Sequence, residues 1–426
     1  MSANAADHYW SQISDCWSSK AHLKWRASIY SGATPSREND DYWLDGTNPW
    51  IGSGAVNQEI VTEPTALITD LAIRESSTKF MRKGALIIAL AGQGRTKGTV
   101  AQLGINCFGN QSLSCIDSRQ DDSRFLYWWL TSIYRQIRGL ASDDSRDGLN
   151  QEMVGSIPIP VVALETQNQI ARYLDRETIR IDGLIAEKER MLGLLEEKRA
   201  ALIIRVVTRG LDPGAPMRLA GQEWLGEIPA HWRIERAKNL FTERDERSHD
   251  GSEELLTVSH ITGVTSRSEK DVYMFEADDK AGYKRCMPDD LAINTLWAWM
   301  GAMGISQLAG IVSPAYHVYT SKGQLLPEYI DLLCRSRPFV AEINRWSKGV
   351  WSSRLRLYPE NFFEMRLPVP PQDEQREIVR AVEADQRKAV ALRDALQQSI
   401  AIAKERRAAL ITAAVTGQIP LEEMAE

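Results

Sequence analysis

A glycine-rich stretch of the sequence places two cations and a hydroxyl side by side, as Arg95, Thr96 and Lys97. A loop with these groups can bind phosphates or reach into a nucleic-acid groove. The alternative is a solvated turn, and the residues alone favour neither interpretation. The surrounding string GQGRTKGT lacks the GxxxxGK[ST] order of a phosphate-binding loop, which excludes nucleotide hydrolysis at this position.

Two further polar loops carry cations, and each comes just before an Ile-Pro or Leu-Pro pair. The first loop, ASDDSRDGLNQ from Ala141, contains Arg146, and the second, RWSKGVWSSRLRLY, starts at Arg345. Arginine can donate two parallel hydrogen bonds to guanine, so such loops could read bases or hold phosphates. Taken singly, each cation is equally compatible with an ordinary surface charge. The candidates in the second loop are Lys348, Ser352, Arg354 and Arg356.

The sequence shows no catalytic or metal-binding constellation beside these loops. It lacks the Asn/Asp-Pro-Pro-Tyr/Phe run of amino-methyltransferases, a GxGxxG turn after a strand, and an acidic-plus-lysine nuclease signature. The five cysteines and six histidines have no metal-ligand or disulfide spacing. We therefore expect a non-catalytic chain that binds no metal or cofactor itself. Trp297 and Trp299 are expected in the core rather than on a base-stacking surface.

The composition is that of a globular protein, but its charge is unusual for a nucleic-acid binder. Hydrophobic residues make up 43% and charged residues 25% of the 426 residues. No apolar run approaches the roughly 18 residues of a membrane span, and the N-terminus has no secretory signal, so we expect a cytoplasmic protein. The net charge of −6 argues against nucleic-acid binding unless positive charge is concentrated on one face or a partner supplies phosphate contacts.

An internal repeat organises the chain. IPIPVVALETQNQIARYLDRE from Ile157 resembles LPVPPQDEQREIVRAVEADQ from Leu367, and RAALIIRVVT from Arg199 matches RAALITAAVT from Arg407 at seven of ten positions. Each copy reads as one long helix, the first from about 166 to 209, with Thr166 and Gln169 as a capping box. Helices of this length are typical of coiled coils.

Heptad spacing predicts that the two helices pair in antiparallel fashion within the chain. The alternative is that each helix packs on its own globular domain. The apolar residues predicted to face the partner helix are Ile170, Leu174, Ile181, Leu195, Leu202, Ile378, Val382, Leu392, Leu396 and Leu410.

The regions outside the helices read as two diverged copies of one α+β domain. Each has a buried apolar strand, a glycine-rich turn, a Gln-Leu strand (Gln102-Leu103 and Gln307-Leu308) and an amphipathic helix, 123–138 or 327–345. The predicted layout has a pseudo-twofold relation between its halves. Its parts are a first globular domain over 1–156, a spacer helix over 157–211, a linker with a second globular domain over 212–366, and a second spacer helix over 367–426.

These strings together resemble the specificity subunits of type I restriction-modification systems. The resemblance lies in WLGEIPAHW from Trp224, KRAALI from Lys198 and LPVPPQDEQREIV from Leu367, and GRTKGTVAQLG and NQSLSCI resemble one of that family's target-recognition domains. Several motifs occur in the right order, twice, over nearly the whole chain. The first globular domain departs from the pattern, because it lacks a WLGEIPAHW stretch.

The resemblance implies that each globular domain reads one half of a split site in double-stranded DNA. It also implies two methylation subunits, which methylate adenine with S-adenosylmethionine, and restriction subunits that cut DNA with ATP and Mg²⁺. Those cofactors belong to the partners. Because the two domains differ, the expected target is asymmetric, and the helix pair would set the gap between its halves.

Two other interpretations stay open at this stage. The chain could be a fragment of a self-contained methyltransferase-endonuclease, in which case the purified chain alone would methylate DNA. It could also be a coiled-coil scaffold without a DNA role, although that leaves the paired, diverged domains unexplained.

Overall fold

The computed structural model describes residues 17, 19–92, 94, 96–140, 148–269, 279–350 and 355–425. The chain divides into two compact units. Unit 1 comprises Met1–Lys188 and Gln398–Glu426, and unit 2 comprises Glu189–Gln397. Both units mix helices and strands, so the predicted α+β class is confirmed.

Unit 1 is built on two sheets. Its five-stranded sheet has the order β2-β10-β7-β8-β4, its four-stranded sheet has the order β5-β3-β9-β6, and β1 pairs with β11. The strands are β1 (Lys20–His22), β2 (Ala27–Ser31), β3 (Asn48–Ile51), β4 (Ile60–Val61), β5 (Ala66–Ile68), β6 (Phe80–Met81), β7 (Leu86–Ala89), β8 (Val100–Leu103), β9 (Cys107–Gly109), β10 (Leu113–Ser118) and β11 (Pro158–Pro160). The helices are α1 (Asp70–Glu75), α2 (Ser123–Ser132), α3 (Tyr134–Gly139), α4 (Gln151–Gly155) and the first part of α5 (Leu164–Arg209).

Unit 2 repeats the central part of this topology. Its four-stranded sheet has the order β15-β22-β19-β20, and four strand pairs, β12-β13, β14-β23, β16-β17 and β18-β21, surround it. The strands are β12 (Met217–Leu219), β13 (Glu227–Pro229), β14 (Arg233–Arg236), β15 (Phe241–Glu243), β16 (Leu256–Ser259), β17 (Gly263–Ser266), β18 (Lys284–Cys286), β19 (Leu291–Asn294), β20 (Met303–Ile305), β21 (Gly310–Val312), β22 (Tyr316–Ser321) and β23 (Arg366–Val369). The helices are α6 (Ala237–Leu240), α7 (Pro327–Arg335), α8 (Arg337–Trp346), α9 (Pro359–Glu364) and the first part of α10 (Gln372–Val415).

Four strands of the five-stranded unit 1 sheet are equivalent to the four strands of the unit 2 sheet. In unit 1, β10 pairs with β2 and β7, and β7 pairs with β8, all antiparallel. In unit 2, β22 pairs with β15 and β19, and β19 pairs with β20, again antiparallel. The prediction that the two globular regions share an architecture is therefore confirmed for these strands.

Each central sheet separates two hydrophobic cores. Side chains alternate across a strand, so Leu86 and Ile88 of β7 enter the core under α2, whereas Ile87 enters the core on the opposite face. In unit 2, Leu291 packs on the helical side and Ala292 on the other. This two-sided burial explains why both strands are continuous apolar runs.

Two sequence predictions inside these domains were wrong. Gln307 and Leu308 lie between β20 and β21 rather than in a strand. The reason is that the unit 2 hairpin is two residues shorter than the unit 1 hairpin. Leu86 of unit 1 pairs with Gln102, whereas the equivalent Leu291 of unit 2 pairs with Ile305.

Each amphipathic helix is also broken into two helices. The first breaks at Ile133 and the second at Ser336, shortly before Pro338. Pro338 cannot donate the backbone hydrogen bond that would continue α7 into α8.

The long helices α5 and α10 cover 46 and 44 residues. The predicted start at Thr166 is two residues late. Thr166 is no cap, because the next residue, Gln167, already donates its N–H to the carbonyl of Ala163 at 3.0 Å. The prediction of one uninterrupted helix per repeat is confirmed.

Within each unit, one helix segment runs antiparallel to the other. In unit 1, the early part of α5 packs with the end of α10, where Arg407 lies 2.9 Å from Asp182. In unit 2, the end of α5 packs with the start of α10, where Arg199 donates to Gln386 at 3.3 Å. The helix ends also enter the cores of the units, so packing between helices and packing on a globular domain both occur.

The residues predicted to face the partner helix differ in burial. Buried predicted residues are Ile170, Leu174, Ile181, Ile378, Val382 and Leu396. Leu195, Leu202 and Leu410 are half-buried, but Leu392 is 46% exposed and does not belong to the seam. On α5 the buried residues also include Thr178 and Ile185, which the predicted seam does not contain. The heptad period of the prediction agrees with the spacing of the buried residues, but the predicted register along the helix is wrong at some positions.

A buried glutamine joins each long helix to the neighbouring domain helix. Gln167 Nε2 donates to the Val162 carbonyl at 2.8 Å, and its Oε1 accepts the N–H of Asp122, the N-cap of α2, at 2.8 Å. Gln375 Nε2 donates to the Pro370 carbonyl at 2.8 Å, and its Oε1 accepts the N–H of Leu326, the N-cap of α7, at 2.8 Å. Both glutamines are 0% exposed, so their bonds satisfy buried backbone groups in the same way.

Candidate nucleic-acid interface

In unit 1, the glycine-rich loop predicted to bind anions connects β7 with β8. The N–H of Gly98 donates to the Ala89 carbonyl at 2.9 Å, which closes the hairpin. Gly98 has a φ of 83°, and a side chain there would meet Ile137 of α3. Only glycine adopts this backbone freely, so the sequence fixes where the hairpin turns back to β8.

The corresponding loop of unit 2 connects β19 with β20 and has the same construction. Gly301 has a φ of 90°, and a Cβ placed on it would lie 3.1 Å from Val340 of α8. The N–H of Gly301 donates to the Ala298 carbonyl at 2.7 Å. Both hairpins thus end at a left-handed glycine that packs against the second helix of the domain.

A second loop joins each hairpin through an equivalent main-chain hydrogen bond. In unit 1, Leu149 ends the loop that contains Arg146, and its N–H donates to the Leu90 carbonyl at 2.7 Å. In unit 2, Leu357 ends the loop from Arg345, and its N–H donates to the Thr295 carbonyl at 3.3 Å. A single sequence contains no measure of the distance between the two loops of either domain, but in both units the end of the second loop contacts the hairpin.

In unit 1 the described candidates are partly covered. Thr96 is half-buried, and its carbonyl accepts the N–H of Thr99 at 3.0 Å. Lys97 is only 8% exposed, which contradicts the expectation of an ammonium presented at the loop surface. Arg95 and Arg146 lie outside the described residues.

In unit 2 two predicted cations face each other at an exposed position. Lys348 and Arg356 form an antiparallel bridge in which each N–H donates to the other's carbonyl at 2.9 Å. Side chains of directly opposed residues project to the same side, so two positive charges stand next to one another. Such a pair is unfavourable by itself and is relieved by a bound anion such as a phosphate. Ser352 and Arg354 lie outside the described residues.

Trp297 is not a core residue, although the sequence favoured that interpretation. Its side chain is 49% exposed at the tip of the unit 2 hairpin, and Trp299 is half-buried beside it. The small residue between them, Ala298, is fully buried and occupies the inward position. The sequence signal that could have revealed this is the apolar run from Leu296 to Met300, which is longer than a hairpin tip can bury.

A half-open cavity of about 390 Å³ lies beside this tip. Its lining includes Trp299 and Arg335. Nη2 of Arg335 lies 3.4 Å from Oδ1 of Asp331. The buried Nη1 of Arg335 has no hydrogen-bond partner. Gly263 is required next to it, because a Cβ there would lie 2.1 Å from Nη2. Arg337 also lines the cavity, so the lining has a second guanidinium besides the one paired with Asp331.

Other arginines are committed to structural ion pairs. Arg26 donates two hydrogen bonds from Nε and one from Nη2 to buried Asp121, and this hydrogen bonding raises the pKa of Arg26. Arg244 donates to buried Asp290 at 2.7 and 3.2 Å, which likewise raises the pKa of Arg244. Such pairs leave these cations unavailable to a ligand, so the loops are the better candidates for anion binding.

The described residues contain neither a candidate metal site nor a membrane helix. Within them, no group of three or more His, Cys, Asp or Glu side chains could hold a metal ion. In the same residues no helix is both long and apolar enough to cross a bilayer.

The sequence of unit 1 matches a known family. The profile of the type I restriction modification DNA specificity domain matches residues 27–189. The specificity subunit of the type I restriction enzyme EcoR124I/EcoR124II from Escherichia coli is 24% identical over 151 residues. That alignment covers 34% of this chain and 37% of the relative's length.

Two solved structures share the fold over nearly the whole chain. One is a structure described under complex assembly and conformational transition of the type I R-M system. It aligns with a TM-score of 0.71 at 15% identity, and the alignment covers 94% of this chain and 98% of the other chain. The HsdS subunit from Thermoanaerobacter tengcongensis has a TM-score of 0.55 at 15% identity, with 94% and 97% covered. Residues 27–189 of unit 1 thus match the type I restriction modification DNA specificity domain, and the chain shares its fold with these two solved structures over 94% of its length.

Proposed function

We propose that this chain reads a split site in double-stranded DNA, with one half bound by each unit. The observation that carries the proposal is the repeated pairing of loops. The bond from Leu149 to Leu90 in unit 1 and the bond from Leu357 to Thr295 in unit 2 place a second loop at the equivalent end of each hairpin. Loops held on a rigid sheet are a usual place for recognition residues.

The two loop pairs differ in chemistry, so the two half-sites should differ in sequence. The unit 1 hairpin contains the polar string GQGRTKG, whereas the unit 2 hairpin contains the apolar string LWAWMG. In unit 2, the exposed pair Lys348 and Arg356 supplies cations from the second loop. An asymmetric bipartite target follows from unlike readers on a common scaffold.

The long helices are proposed to set the distance between the half-sites. At about 1.5 Å per residue, the 46 residues of α5 extend over about 69 Å. Helices paired in antiparallel fashion are stiff enough to act as a spacer.

Partner subunits are proposed to carry the chemistry. Two methylation subunits would use S-adenosylmethionine to methylate adenine N6, and restriction subunits would use ATP and Mg²⁺ to cut DNA. The family is non-catalytic in itself, and we place the assembled complex in the cytoplasm, where it meets DNA. Contacts made by the partners to phosphates would explain how a subunit of net charge −6 takes part in DNA binding.

Methylome sequencing tests this function directly. Cells that express the chain with its neighbouring methylation subunit should carry methylated adenine at one asymmetric bipartite motif. Cells that express the methylation subunit alone are the control and should lack that motif. The proposal would be contradicted if no methylated motif were found, or if the motif were one continuous sequence without a gap. Methylation by the purified chain alone would favour a self-contained enzyme instead.

The salt dependence of binding tests the predicted phosphate contacts. Replacing both Lys348 and Arg356 by alanine should reduce the slope of log K against log salt by about 2, because each phosphate contact contributes about 0.9. The matched control changes the exposed helix residues Arg387 and Lys388 to alanine, which should leave the slope unchanged. Equal slopes for the loop variant and the unchanged protein would remove these residues from the interface.

A further inference from the structure

The tip of the unit 2 hairpin exposes a cluster of large apolar side chains. Leu296 is 39% exposed, Trp297 49% and Met300 37%, all within five residues of one turn. Single exposed apolar residues are normal, but a contiguous group at a loop tip indicates a contact surface. The corresponding unit 1 hairpin has glycine and polar residues at this place, so the feature belongs to unit 2 alone.

Main-chain hydrogen bonds hold this tip in one conformation. The N–H of Trp297 donates to the Asn294 carbonyl at 3.0 Å, and the Trp297 carbonyl accepts the N–H groups of Met300 at 3.0 Å and Ala302 at 3.1 Å. Trp299 Nε1 donates to the Leu296 carbonyl at 3.0 Å. Because the tip is already ordered, a ligand that binds it does not have to pay for ordering it.

The two indole rings form a stacked pair. Their centroids lie 6.3 Å apart, and the ring planes differ by 19°. Trp299 is half-buried and supports Trp297, whose ring is the more exposed of the two. This arrangement presents a supported flat apolar group to the outside, a shape that complements the face of a nucleobase.

Cations flank the aromatic tip. The carbonyl of Thr295, the residue before Leu296, accepts the N–H of Leu357. The residue before Leu357 is Arg356, which forms the bridge with Lys348. The partner that fits therefore combines negative charge with flat apolar faces. Nucleic acid has both properties, whereas an apolar protein surface would leave the paired cations without a counter-charge.

We propose that Trp297 is a wedge that inserts between stacked bases in the DNA half read by unit 2. This inference rests on the proposed DNA-reading function. In a closed duplex the flat faces of the bases are covered by their neighbours, so an indole can stack on a base only where a step opens. Inserted apolar side chains kink the duplex, and the kink is expected in the unit 2 half-site only.

The test uses the full-length chain and a duplex that contains its mapped site. Permanganate, which attacks unstacked thymines, and diethyl pyrocarbonate, which attacks exposed purines, should reveal one reactive step in the unit 2 half-site. Energy transfer between dyes at the duplex ends should report a bend. Both signals should be lost with Trp297→Ala, whose affinity should fall about 5- to 150-fold, the range measured for one base–aromatic stack.

Two variants make the comparison specific. Trp297→Phe keeps an aromatic face and should retain the bend and most of the affinity. Trp25→Ala removes another exposed tryptophan, one that is 70% exposed in the turn Leu23–Trp25 of unit 1, and should change neither. Because Trp297 is half-exposed, its replacement should leave the thermal unfolding midpoint of the chain unchanged within a few degrees.

The outcomes separate this inference from the proposed function. If the unchanged chain and its complex do not bind DNA, the proposed function fails. If they bind a site without a reactive step, the wedge is wrong, whatever the variants do. Equal bending by Trp297→Ala and the unchanged chain would also overturn it. If Trp297→Ala bends DNA normally but no longer binds the methylation subunit, the surface belongs to a protein contact and the wedge is rejected.

Discussion

The buried glutamine at the start of each long helix should control how firmly that helix holds the domain beside it. Gln375 is 0% exposed and serves three backbone groups: it accepts from Leu326 and donates to Pro370 and, at 3.0 Å, to Gln324. The change Gln375→Met keeps the side-chain volume close to that of glutamine but removes all three hydrogen bonds. Unit 2 should therefore be destabilised at the junction between α7 and α10.

The size of the effect follows from the groups left without partners. A buried polar group that loses its partner costs about 1–3 kcal/mol. Three such groups would cost more than the roughly 1–2 kcal/mol regained by burying the apolar methionine side chain. The three groups together cost about 3–9 kcal/mol, so the net loss in local stability should be at least about 1 kcal/mol, which corresponds to opening that is favoured at least about 5-fold more.

Hydrogen exchange followed by mass spectrometry measures this locally. In Gln375→Met, peptides that contain Leu326 should exchange faster by the stated factor, because its N–H has lost its acceptor. Peptides from the α2 junction of unit 1 should be unchanged. The mirror variant Gln167→Met should give the reverse pattern, since Gln167 serves Asp122 in the same way. The matched control Gln372→Ala removes one exposed bond, to Gly323 at 2.7 Å, and should have little effect.

Unchanged exchange at Leu326 in Gln375→Met would refute the reasoning. It would mean that the side chain only fills space and that the N-cap amide is protected by something else. A uniform increase in both units would refute it in another way, because the effect would then be global rather than confined to one junction.

Two further predictions concern the thiols and the helices. Burial raises the pKa of Cys107 and Cys286 to about 12 and that of Cys115 to about 11. In a Cys16→Ser background, the folded protein should therefore react with a thiol reagent at pH 8 far more slowly than the urea-unfolded protein. Rapid reaction of the folded protein would contradict this burial. Inserting four residues at facing positions of α5 and α10 should lengthen the spacer by about 6 Å. The preferred gap between the two halves of the methylation motif should then grow by about two base pairs. An unchanged gap would rule out the spacer role.

The sequence predicted the parts of the fold that repeat or have a clear period. The long helices were recognisable because no proline interrupts them and because RAALI recurs at their ends. The equivalent strands β7 and β19 were recognisable as apolar runs between turn residues. These features depend on local patterns, which a single sequence contains.

The sequence could not predict features that depend on tertiary register. The shorter unit 2 hairpin moved Gln307 out of the strand, and only the pairing of Leu291 with Ile305 shows this. The seam phase failed at Leu392 for a related reason: the helix ends pack into the domain cores, so the buried stripe is not a pure coiled-coil seam.

The candidate interface shows the same division. The sequence identified the loops, because polar strings with arginine precede both proline pairs. It could not show that each loop meets its hairpin, since Leu149 and Leu90 are 59 positions apart and their contact is a backbone hydrogen bond without a side-chain signature. Burial of Lys97 and exposure of Trp297 likewise depend on how each hairpin tip packs against the helix beside it.

The contrast between Lys97 and Trp297 shows how two copies of one hairpin can carry different tips. The scaffold of each hairpin is set by a left-handed glycine, Gly98 or Gly301, and by the backbone bond from the second loop. None of these contacts depends on which side chains occupy the tip. Tip residues can therefore differ between polar and aromatic without loss of the sheet, so two copies of one domain present unlike surfaces, as the proposed asymmetric target requires.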